Sequence, residues 1–355
     1  MNKLKNILIL ILGILVLGIA LSYTLLFSKV SSSNEDIQVE IALGTGPSAI
    51  GDILKENNVI KSALGFKIYI KLNDINTFQA GTYKLRQNMS LKEITESLQN
   101  GVVFDPEQMN FTYLEGKHIR WLAKEIATKT NNTEDDVYKL LQDEVYINSL
   151  IDKYWFITDE IKNKNIYYSL EGYLFPDTYA LNNKDVTVEE IFEKMLDKME
   201  TVLEEYKEKI EDSNLSVHEI LALASIVEME SVNTEDREDV ASVVYNRLDR
   251  GMAIQSDVTT YYAFKIDMGE RDLYQRELDT YNPYNTRGPR MEGKLPVGPI
   301  SSVSESSIEA AVNPSKTDYL FFVADKNGKV YFTKTTSEHD KIISDLKTKG
   351  LWFEY

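Results

Sequence analysis

The sequence contains no cysteine. Disulfides, thiolate metal sites and a cysteine nucleophile are therefore excluded together. Histidine is nearly as scarce: His118, His218 and His339 are the three, far apart and without ligand spacing. No metal site and no cofactor is expected, and each histidine reads as a surface or hydrogen-bonding residue. Basic residues are outnumbered, 39 Lys and Arg against 56 Asp and Glu, for a formal net charge of −17. That sign argues against nucleic acid, whose binding needs clustered Lys and Arg. It also argues against docking on anionic lipid by anything other than an apolar anchor.

What remains is ordinary for globular protein: 355 residues, 43% hydrophobic and 27% charged, enough for two or three domains. Residues 1–6 form a short tail with Lys3 and Lys5. Ile7 to Phe27 is an uncharged run of 21 residues, long enough to span a bilayer. The lysines before it favour an N-terminus inside and the rest of the chain outside. A cleaved signal peptide has a shorter apolar core and a small-residue cleavage site. The run is therefore read as an uncleaved single-pass membrane anchor, followed by a polar linker, residues 28–36.

The stretch from Leu221 to Ser231 is apolar, helical in pattern, and carries two glutamates near its end. Ser216 with Glu219 three residues on is a capping box, and Leu215 with Ile220 is placed for a hydrophobic staple. The pattern predicts a helix from just after Ser216, with Ile220, Leu223, Ala224 and Val227 as its buried face. Glu228 and Glu230 lie two apart, so they point roughly 200° from each other. They cannot form the paired-carboxylate site of most glycosidases. The ordinary fate of such a glutamate is a solvated helix end, because Glu is rarely buried unless paired. Helical geometry alone does not choose between the two for chemistry.

Around this helix the chain reads as α+β. Ile37 to Ile41 and Gly81 to Leu85 are strand-like, and Ser48 to Asn57 and Ser62 to Leu72 are helical. Ser90 and Glu93 box a third helix through Leu98, with Gly101 suited to its end. Met109 to Leu114 is a strand, and helices follow over Ile119–Thr130 and Thr133–Asp143. Leu170 to Tyr179 is an aromatic turn region that suits either core packing or the wall of a sugar cleft. Val188 to Lys207 is a charged amphipathic helix. Glu235 to Arg250 is a second helix after the glutamate pair; its Asn246 and Arg247 are expected to hydrogen-bond the loop after Glu230. Gln255, Ser256, Asp257 and Thr259 follow a glycine turn, where polar loop residues often carry function; Asp257 also suits the cap of a helix over Val258–Phe264. Tyr281 to Ser302 is a long Pro- and Gly-rich loop. Tyr319–Ala324 and Lys329–Thr333 form a hairpin about Asn327-Gly328, and Ser337 caps a last helix.

Several of these stretches resemble the MltG (YceG-like) endolytic murein transglycosylases. The resemblance lies in Ala224-Ser225-Ile226-Val227-Glu228-Met229-Glu230-Ser231, in Val240 to Leu248, and in Ile254-Gln255-Ser256-Asp257. It continues through Tyr284-Asn285-Thr286, Leu295 to Ile300 and Tyr319 to Ala324, and upstream through Ala80 to Tyr83 and Glu171 to Tyr179. It runs in order along nearly the whole chain. One departure stands out: Arg287 follows Thr286 where the family commonly has Tyr, and the stretch up to Leu295 is a few residues longer.

The resemblance implies that Glu230, followed by Ser231, is the catalytic acid. It implies non-hydrolytic cleavage of the MurNAc–GlcNAc β-1,4 bond of nascent glycan strands, leaving 1,6-anhydro ends. Substrate-contacting or supporting residues are then Glu228, Ser231, Asn246, Arg247, Gln255, Ser256, Asp257, Thr259, Tyr284 and Asn285. Partners implied are peptidoglycan glycan strands and penicillin-binding synthases. A LysM-like module over 37–105 and a catalytic domain over 106–355 complete the expectation. A non-catalytic glycan-binding scaffold and a hydrolytic muramidase remain the alternatives.

Overall fold

The computed structural model describes residues 18, 24, 26–101, 109–231 and 233–352. The predicted tail and almost all of the predicted membrane span lie outside these residues. Among the described residues no helix is long and apolar enough to cross a membrane. The chain divides into two compact units, residues 1–108 and 109–355.

In the first unit, strand β1 (Asp36–Ile41) pairs antiparallel with β2 (Gly81–Arg86), Val39 opposite Tyr83. Alternation turns Val39, Ile41, Tyr83 and Leu85 inward. Helices α1 (Pro47–Glu56), α2 (Ala63–Leu72) and α3 (Leu91–Asn100) supply Ile50, Leu54, Phe66, Ile94 and Leu98 to the same small core. Ser90 and Glu93 form the expected capping box, and Gly101 takes the left-handed conformation at the helix end, φ 67°.

Among its described residues the second unit is mostly helical, with two short two-stranded sheets. Strand β3 (Met109–Thr112) pairs antiparallel with β4 (Thr178–Leu181). Between them lie α4 (Ile119–Lys129), α5 (Glu134–Leu140) and α6 (Glu144–Lys153). The helix expected through Asp143 stops at Leu140, and Asp143 instead caps α6, accepting from the amides of Val145 and Tyr146. A carboxylate oxygen that can reach two free amides starts a helix more readily than it continues one. Then come α7 (Val188–Glu204), α8 (Lys207–Glu211), α9 (Val217–Glu230), α10 (Arg237–Asp249), α11 (Asp257–Ala263), α12 (Gln275–Leu278) and α13 (Glu305–Val312). Strands β5 (Phe321–Ala324) and β6 (Val330–Thr333) form the expected hairpin, and α14 (Thr336–Thr348) follows. Thr335, not Ser337, caps α14, because Thr335 has Glu338 three residues on and completes a capping box.

Helix α9 begins as expected, with Ser216 and Glu219 bonded reciprocally. Its burial differs from expectation. Every residue from Ile220 to Val227 is buried, not one stripe. The helix is wrapped by α10, α11 and α13, so it is the axis of the unit rather than an amphipathic surface helix. The Leu170–Tyr179 region is core: Leu170, Tyr173, Leu174 and Phe175 are buried in the same cluster as α9. Gly172 there has φ 79°, and a Cβ would lie 2.3 Å from Pro299, so no other residue fits.

Candidate active site

Helix α9 delivers its two glutamates to different surroundings. Glu228 is nearly covered, its side chain 6% exposed. Arg237 at the start of α10 donates to it at 3.1 Å. The amide of Ser304 donates at 3.0 Å and the hydroxyl of Ser307 at 2.7 Å, and the Ser304 hydroxyl adds a fourth bond. Ser304 and Ser307 belong to the N-terminus of α13, so Glu228 ties α9, α10 and α13 together. The expectation of a supporting residue fits this geometry; that of a surface residue does not. Glu115 lies close enough that burial, first, and the Glu228 charge, second, raise its own pKa.

Glu230 is half-buried and, among the described residues, receives one hydrogen bond, from the hydroxyl of Ser256 at 2.6 Å. Burial of its carboxyl raises its pKa above the ordinary glutamate value. The Ser256 bond opposes the rise, Asp257 adds to it, and Arg287 and Arg247 offset it. A carboxyl so placed is biased toward the protonated form and keeps oxygen lone pairs free for a further partner.

The segment bearing Ser256 is held from several sides. Ser256 occupies the N-cap of α11, yet its hydroxyl makes no capping bond because Glu230 takes it. Its amide instead donates to the Thr286 hydroxyl oxygen at 3.1 Å. Thr286 and Thr259 share a buried hydroxyl pair at 2.8 Å, and Thr259 also donates to the Ser256 carbonyl at 2.7 Å. Gln255 sits in the left-handed region, φ 59°, with its amide bonded to Thr286 O at 3.1 Å. Arg247 clamps the approach, donating to Ile254 O at 2.7 Å and Leu320 O at 2.6 Å. Arg287 donates to Gln255 O and lies 2.9 Å from Asp257, so its guanidinium straddles Ser256. Asp257 is the first helical residue rather than the cap.

Ser256, Asp257, Gln255, Arg247 and Thr259 are thus gathered about Glu230. The other expected residues are not. Tyr284 is core, packed between Tyr167 (tilted) and Tyr262 (edge-on) with ring centroids 4.8 Å from each. Asn285 is buried and bonds Glu277 O, Thr280 O and Thr260, holding its own loop in shape. Asn246 bonds Thr317 O and Tyr319 O. Among the described residues neither Asn246 nor Arg247 bonds the loop after Glu230; both fix the chain leading into the β5–β6 hairpin. Ser231 ends α9, and its buried hydroxyl has no hydrogen-bond partner among the described residues.

Sequence reasoning missed Arg237, Ser304 and Ser307, which together engage Glu228. A signal existed: Ser304 precedes the apolar pattern of α13 and suits its cap. Arg287 was visible only as a departure from a pattern, and Thr286 only as part of one. Of the histidines, His218 is buried, bonded to Tyr173 and to Val297 O, and His118 caps α4. Glu171 is a buried carboxyl the cluster does not use. It accepts from the amide of Ile119 and the hydroxyl of Tyr262, and burial pushes its pKa up to about 8.

The profile of the YceG-like family matches residues 39–345. The endolytic murein transglycosylase of Bacillus subtilis is 39% identical over 92% of this chain and 90% of its own length. The protein of that name from Streptococcus pneumoniae is 32% identical over 89% of this chain, which spans 59% of that longer relative. A crystal structure of a yceG-like protein from Listeria monocytogenes superposes with a TM-score of 0.61 at 36% identity, covering 87% of this chain and all of that one. The chain belongs to the YceG-like family, the family of the endolytic murein transglycosylases.

Proposed function

We propose that this protein is an endolytic murein transglycosylase in which Glu230 alone performs both proton transfers. Protonated Glu230 donates to the glycosidic oxygen as the bond from C1 of N-acetylmuramic acid breaks. The resulting carboxylate takes the proton of the same sugar's C6 hydroxyl. That oxygen bonds to C1 and closes a 1,6-anhydro ring, so no water is consumed and the acid is regenerated. The substrate acetamido group stabilises the oxocarbenium-like state, as in substrate-assisted glycosidases that lack a second carboxylate.

The single observation that carries this reading is the contrast at the end of α9. Among the described residues Glu228 accepts four hydrogen bonds from Arg237 and two serines, whereas Glu230 accepts one and has a raised pKa. Mass analysis of murein digested by the purified protein is the test. Fragments ending in 1,6-anhydro sugar support the reading; reducing ends make the protein a muramidase, and no cleavage makes it a glycan-binding scaffold.

The finer reading extends to place and partners. An anchor over Ile7–Phe27, with the N-terminus inside, puts the catalytic unit next to nascent strands at the outer face of the membrane. Residues 37–105 act as a LysM-like module, and penicillin-binding synthases supply the strands that the enzyme terminates.

A further inference from the structure

Resting on that reading, we infer that the hollow between α5, α6 and the 161–169 segment is a distal saccharide subsite, binding the N-acetylated glycan strand away from the cleaved bond. The hollow has a volume of about 560 Å³. Whole-ligand pockets start at roughly 300 Å³, so there is room for a sugar residue rather than a lone substituent. Its floor is apolar: Leu141, Ile147 and Ile161. Its walls are aromatic: Tyr138, Tyr167 and Tyr168, with Tyr138 and Tyr168 stacked at 5.8 Å. Its rim carries the amides of Gln142, Asn148 and Asn163. No hydrogen bond within the described residues engages the side-chain amides of Gln142 and Asn148.

That combination has a chemical meaning. Sugar rings present C–H faces that lie against aromatic faces, and hydroxyl and acetamido edges that need both donors and acceptors. An amide side chain offers both and carries no charge. A cationic or acidic ligand would instead meet a near-neutral rim, with Glu144 and Lys162 of opposite sign.

The hollow is also joined to the Glu230 cluster by one rigid element. Ser256 at the N-terminus of α11 holds Glu230. At the other end of the same helix, Ala263 O accepts from the hydroxyl of Tyr167, a wall residue, at 2.9 Å. Seven residues of helix rise about 10 Å. A second, smaller hollow of about 160 Å³ lies along this path, floored by Met229 and Val258 and flanked by Trp121 and Tyr261. Arg120 bonds Asp267 on the edge of that smaller hollow at 2.9 Å, and its charge acts on both Tyr138 and Tyr168. An enzyme that cuts within strands needs contacts beyond the two sugars at the scissile bond, and this aromatic path supplies them.

Binding without turnover tests the subsite. Glu230→Gln protein is titrated calorimetrically with peptide-free glycan strands sorted by length, with and without Asn148→Trp. Asn148 is an exposed rim residue, so the added ring fills the mouth and leaves the core alone. With the mouth filled, long strands should bind about tenfold more weakly, while the disaccharide binds unchanged. Tyr168→Leu should act in the same direction. Equal affinity for long strands in both variants, or equal weakening for long strands and disaccharide, overturns the subsite. Wild-type release of anhydro product alongside that result leaves the transglycosylase reading standing; no strand binding and no anhydro product overturns both.

Discussion

Glu228 and Glu230 leave the same helix two residues apart and meet opposite treatment. On the Glu228 side, Arg237 and the N-terminus of α13 give a carboxyl group four donors, one on Oε1 and three on Oε2. On the Glu230 side, one serine hydroxyl reaches the carboxyl and the surrounding protein raises its pKa. The comparison teaches that burial alone does not mark a catalytic acid. A buried carboxyl group given enough donors becomes a structural tie, because its oxygens are committed to neighbouring elements. One left with few donors keeps both its proton and its exchangeability. On this account the Glu228 side holds the fold and the Glu230 side does the chemistry.

Breaking each side should give different losses. Glu230→Gln keeps size and shape but cannot exchange a proton, so anhydro-muropeptide release should fall by at least about 10²-fold. Its cooperative thermal transition should remain. Glu228→Gln leaves Arg237 buried without its anion, which should cost about 3 kcal/mol of stability in a denaturant titration. Activity per folded molecule should stay near that of the wild type. Equal activity losses in the two variants would erase the division of labour.

Subtler changes sharpen it. Arg287 and Asp257 flank Ser256 and act on Glu230 with opposite signs. Arg287→Gln should move the alkaline limb of kcat/KM to higher pH, and Asp257→Asn should move it lower. Shifts in the same direction would mean that the ion pair acts through loop order rather than charge. The effect most remote from the reaction concerns Glu171, outside the cluster. Its folded-state pKa of about 8 lies above the usual glutamate value. Its contribution to stability is therefore complete below the unfolded pKa and lost as pH rises through about 8. Glu171→Gln should flatten that decline in the melting temperature between pH 5 and pH 8.

The local elements were legible because their signals are local. Ser216 with Glu219, Ser90 with Glu93, and Asn327-Gly328 each specify a cap or turn within a few residues. What failed was tertiary. The stripe read onto α9 was incomplete because α10, α11 and α13 cover it on several sides, which periodicity cannot reveal. Asn246 looked like a partner for the loop after Glu230, yet it bonds carbonyls more than 70 residues on in sequence. Tyr284 and Asn285 lie next to Thr286 in sequence, but only Thr286 turns toward Ser256. The composition of the serine-rich segment around Ser304 gave no hint that it encloses Glu228.

The most direct test of the central claim is the pH dependence of kcat/KM in wild type, Ser256→Ala and Glu228→Gln. The first proton transfer needs Glu230 protonated, so the rate should fall as pH rises past its pKa. Ser256 lowers that pKa by its hydrogen bond. Removing it should carry the alkaline limb to higher pH and reduce the maximal rate about tenfold, since a bond to a charged group is worth roughly 1.5 kcal/mol. Glu228→Gln should leave the limb where it is in wild type. A limb that moves with Glu228→Gln and stays fixed with Ser256→Ala would contradict the account.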